Sequence, residues 1–83
     1  MRTTLIEMQN RDFVIVLTQT DYEQGGKSYH LQVYRDWGTH RQLVKYRRLR
    51  NADQANRCYM QYRQMGYAVT RRDSFENIEM DMR

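Results

Sequence analysis

Eighty-three residues make one small domain, with no room for a second. Fourteen Lys and Arg against ten Asp and Glu give a formal net charge of +4, too low to drive disorder. One cysteine, Cys58, excludes an internal disulfide and a thiolate metal cluster.

No apolar run approaches the roughly 20 residues of a membrane helix, and Met1–Ile6 lacks the apolar stretch of a secretion signal. A cytoplasmic protein without membrane contact is expected. Leu, Ile, Val and Phe total only 15, so the seven tyrosines and six methionines must fill much of the core. Charge is uneven along the chain: −1 over residues 1–34, +8 over 35–72 and −3 over 73–83. Such asymmetry bears on partners more than on fold.

Thr4-Leu5-Ile6-Glu7 has the spacing of a capping box and predicts a short helix over 4–10, with a short edge strand as the competing reading. Phe13-Val14-Ile15-Val16-Leu17 is apolar on both faces and predicts a central strand. After the glycine pair Gly25-Gly26, residues 28–34 alternate. Tyr29, Leu31 and Val33 share one face, and His30, Gln32 and Tyr34 the other. Asp36-Trp37-Gly38-Thr39 reads as a tight turn with Gly38 left-handed. A third strand over 41–49 is expected to turn Val44 and Tyr46 inward and Leu43, Lys45 and Arg47 outward.

Asn51 and Gln54 form a second capping box. Ala52, Ala55, Cys58, Tyr59, Tyr62 and Met65 follow as an apolar stripe at helical spacing, and Gly66 ends the helix. Residues 67–70 suggest a short returning strand, and residues 74–82 a final helical turn or two carrying Phe75, Ile78 and Met82. The expected architecture is α+β: a three-stranded antiparallel meander with one amphipathic helix on one face and short terminal elements.

If the helix shields one face, the other presents His30, Gln32 and Tyr34 beside Leu43, Lys45 and Arg47. Trp37 stands at the turn tip and Arg57 on the outer side of the helix. Arg, Tyr and Trp bury large areas while keeping polar contacts, which favours a small non-enzymatic adaptor or inhibitor docking on a protein. His30, Tyr34, Trp37, Lys45, Arg47 and Arg57 are its candidate contacts. The alternative is single-stranded RNA or DNA bound by the same face, with rings stacking on bases and cations on phosphates.

A homodimer overlaps both readings. His30 and His40 are the only histidines, too few ligands for a metal site, and no acid–base pair or nucleophile is positioned by spacing. No cofactor and no catalytic residue are expected.

Overall fold

A computed structural model describes the backbone of residues 2–72 and the side chains of residues 2–71. The helix expected over 4–10 is instead a strand, β1 (Arg2–Asn10), with neighbours on both sides. Its pairing with β2 (Phe13–Asp21) jumps between Thr4 and Ile6, leaving Leu5 as the extra residue of a bulge. Leu5 and Ile6 therefore both join the core, followed by Met8. A capping box favours a helix only locally, and a single short turn is marginal by itself. Two strand partners satisfy the same backbone groups and bury three large side chains, each worth about 1.5–3 kcal/mol.

β2 occupies the middle of the sheet, as its apolar run predicts. β3 (Lys27–Asp36) and β4 (Arg41–Leu49) continue the meander. Helix α1 (Ala52–Gln64) then crosses to the opposite margin, where β5 (Ala68–Arg72) pairs antiparallel with β1. The sheet is thus five-stranded, in the order β4-β3-β2-β1-β5, rather than three-stranded. The α+β class holds. Of the two additional strands, β5 matches the short returning strand expected over 67–70, and β1 takes the place of the expected helix, where the apolar pattern is too brief to fix a period. The helical turns expected over 74–82 lie outside the described residues.

The start of α1 follows its sequence signal. Asn51 Oδ1 accepts from the Gln54 backbone N–H at 2.9 Å, and Gln54 Oε1 accepts from the Arg50 N–H at 2.8 Å. The reciprocal bond thus reaches one residue further back than in the usual box. Gly66, at φ +100°, supplies the left-handed residue that releases the chain after the helix. Ala55, Cys58 and Tyr59 enter the core with Ile15, Leu17, Tyr29, Leu31 and Leu49. Ala52 and Tyr62 pack at its edge. Met65, expected to end the stripe, is exposed. Tyr62 meets Tyr67 edge to face at 5.3 Å, joining the end of α1 to the approach to β5.

The sheet is strongly twisted. Arg41 Nη2 lies 3.0 Å from Glu7 Oε2, although β4 and β1 are three strand intervals apart. In a flat sheet the register would separate their backbones by roughly 20 Å, beyond the joint reach of the two side chains. Twist raises those diagonal corners toward the same side. No helix among the described residues is long and apolar enough to cross a membrane.

Candidate partner-binding surface

The strand register decides which side chains share a face. Leu31 stands opposite Arg47, and Val33 opposite Lys45. Leu31 belongs to the core and Val33 packs against it, so Lys45 and Arg47 rise on the helix side of the sheet. On the far side, Gln32 faces Tyr46, His30 faces Arg48 and Tyr34 faces Leu43. The expected surface uniting His30, Tyr34, Lys45 and Arg47 is therefore corrected: the first pair and the second pair lie on opposite sides. The cause is a bulge between Leu43 and Lys45, which leaves Val44 without a partner and reverses the alternation beyond it.

The far face is also less available than the sequence suggests. His30 is 7% exposed and Gln32 6%, while Val14 and Ser28 are buried and Tyr34 is half-buried. Tyr46 covers His30, with ring centroids 5.7 Å apart and its hydroxyl bonded to His30 Nδ1. On the other side of the imidazole, Nε2 meets Ser28 Oγ at 2.9 Å, and that hydroxyl meets the Tyr22 hydroxyl at 2.9 Å.

A neutral imidazole offers one donor and one acceptor, so all four groups are satisfied in one continuous chain. Desolvation, followed by the charges of Arg2 and Arg48, holds His30 below its ordinary pKa. Ser28 is buried, so its contact with histidine fastens the face and presents no nucleophile to a substrate. Thr18 Oγ1, Thr20 Oγ1 and Gln32 Oε1 lie buried on this face without a hydrogen-bond partner among the described residues.

Exposure concentrates on β4. Every residue from Arg41 to Arg48 is exposed, including Leu43, Val44 and Tyr46, each about half accessible. β4 is the last strand on its margin of the sheet, so its outer backbone groups meet no strand among the described residues. Arg41 is engaged by Glu7 and Asp36, whereas Lys45, Arg47 and Arg48 form no ion pair among the described residues. The strand thus interleaves unpaired positive charge with apolar area among the described residues.

Trp37 flanks β4 at the hairpin turn and is 50% exposed. It does not fold back over the core. Its ring lies 4.2 Å from the Arg35 guanidinium, whose other neighbour is the Phe13 ring at 5.9 Å. The indole Nε1 donates to Gln42 Oε1 at 3.2 Å, so the ring is fixed beside β4. Gly38, at φ +93°, makes the turn, and its N–H donates to Asp36 Oδ1 at 2.8 Å.

Arg57 stands exposed on α1 and shares a hollow with Arg47, Arg48 and Arg50 at the β4–α1 junction. Of the six anticipated contacts, Arg47 and Arg57 come together there. Lys45 is further along β4, Trp37 at its start, and His30 and Tyr34 on the opposite face. Tyr46, Arg48 and Arg50 are the additions. The run Arg47-Arg48-Leu49-Arg50 immediately before the Asn51 cap was the available signal, since a strand-to-helix junction gathers its flanking side chains. No comparable signal announced Tyr46, which depends on the bulge.

Among the described residues, no group of three His, Cys, Asp or Glu side chains converges to hold a metal. Comparison of the chain with protein-family models, curated proteins and solved structures finds no match.

Proposed function

We propose that the protein is a small non-enzymatic binding module of the cytoplasm, an adaptor or inhibitor that takes an acidic, extended segment of a protein partner along β4. The observation that carries this reading is the exposure of β4 from Arg41 to Arg48 on the sheet margin. An added strand gains main-chain hydrogen bonds from such a margin and selects side chains at alternate positions. Leu43, Val44 and Tyr46 supply apolar area, and Lys45, Arg47 and Arg48 favour carboxylates. Trp37 extends the contact at one end as a pre-positioned aromatic anchor. Self-pairing through β4 would set these cations against their own copies, so the same charges oppose a β4–β4 homodimer.

Single-stranded RNA or DNA is the alternative partner. The burial of His30 and half-burial of Tyr34 withdraw the two rings expected to stack on bases from that face and leave Tyr46 and Trp37 as the exposed rings beside β4, which favours the protein reading. A titration separates the two. An acidic peptide of alternating Glu and Val, a glycine-interrupted peptide of equal charge, and an oligothymidylate are added at low and moderate salt. The β-forming peptide is expected to bind best, and Lys45→Glu with Arg47→Glu should weaken it by about tenfold or more. Equal binding of the two peptides, or a preference for the oligonucleotide, contradicts the proposal.

A further inference from the structure

The junction of β4 and α1 gathers four guanidinium groups around one hollow of about 400 Å³. Arg47 and Arg48 come from the end of β4, Arg50 from the connection, and Arg57 from α1. Asn51, Asp53 and Gln54 complete the lining. Among the described residues none of the four arginines forms an ion pair; the ion pairs there belong to Arg41. Asp53 is the only acid in the lining, which leaves the hollow with a net charge of +3 from four cations and one anion. The Gln54 N–H is already taken by Asn51, so the guanidinium groups and not the helix terminus face an anion in the hollow.

Four cations held together repel one another, and a multivalent anion relieves that repulsion. Planar guanidinium groups match tetrahedral oxyanions through paired N–H donors. The volume lies within the range of small-molecule sites. The lining contains no aromatic or large apolar side chain, and guanidinium groups engaged with phosphate oxygens leave a heterocycle no dedicated platform. We propose that this hollow binds a phosphate-chain oxyanion of the pyrophosphate or tripolyphosphate class, free or as the end of a nucleotide. The hollow shares Arg47 and Arg48 with the β4 surface, whereas Arg50 and Arg57 lie outside that strand, so replacing the latter pair tests the hollow apart from strand addition.

Calorimetric titration of the full chain with sodium tripolyphosphate and with ATP, at constant ionic strength, tests the assignment. The two ligands are expected to bind within about threefold of each other, since the nucleoside gains no contact. Arg50→Ala combined with Arg57→Ala should weaken tripolyphosphate by at least about tenfold. Arg11→Ala combined with Lys27→Ala removes the same charge elsewhere and should cost less than about threefold. Asp53→Asn should tighten binding by about threefold. All of these side chains are exposed, and circular dichroism checks that each variant folds. Equal losses in the two double variants would reduce the effect to net charge and overturn the site. So would ATP binding more than about tenfold tighter than tripolyphosphate.

Discussion

The Tyr46 hydroxyl hydrogen-bonds His30 Nδ1, and the two rings stack with centroids 5.7 Å apart. This contact ties the exposed strand β4 to the interior of the sheet through a titratable group. Desolvation is the main cause of the lowered His30 pKa, with Arg2 and Arg48 adding to it. The unfolded chain therefore takes up the proton more readily than the native one. Stability from this group is fully present above the ordinary histidine pKa of about 6.5 and is lost as pH falls through the lowered native value. Urea unfolding at pH 7.5 and 5.5 should show a decline in the wild type and a smaller one in His30→Gln. Identical declines would remove His30 as the cause.

Thr18 carries a buried hydroxyl with no partner among the described residues, opposite His30 in the register. Replacing it by valine keeps the branched shape and removes a desolvated polar atom. Thr18→Val is expected to raise unfolding stability by about 1 kcal/mol, measured by the same denaturation. A loss of stability would mean that the hydroxyl is satisfied in solution.

Arg35 lies between Phe13 and Trp37, and Trp37 is the sole tryptophan. Arg35→Ala should cost about 0.5–1 kcal/mol and shift the indole emission as the ring loses its cover. Arg35→Lys keeps the charge but not the planar fork, and should recover only part of that stability. Unchanged emission in Arg35→Ala would contradict the stacked arrangement.

Much of this architecture is legible in the residues. The Phe13–Leu17 run, the alternation from Tyr29 to Tyr34 and the Asn51–Gln54 cap each state a period or a boundary, and each forms the element it implies. Two exceptions share one physical origin. At Leu5 and at Val44 an inserted residue breaks the two-residue period, and nothing local to either sequence signals the bulge. The first made a strand resemble a capped helix. The second exchanged Tyr46 for Lys45 and Arg47 on the face away from α1, and so divided a surface that strict alternation had united. The burial of His30 likewise depends on tyrosines arriving from distant positions.

The most direct measurement is amide hydrogen exchange of the protein alone and saturated with the alternating Glu–Val peptide. Strand addition predicts that β4 amides over residues 41–48 facing away from β3 become protected by at least about tenfold, while the glycine-interrupted peptide leaves them unchanged. Bound peptide with unaltered exchange along β4, or protection confined to another element, contradicts the account.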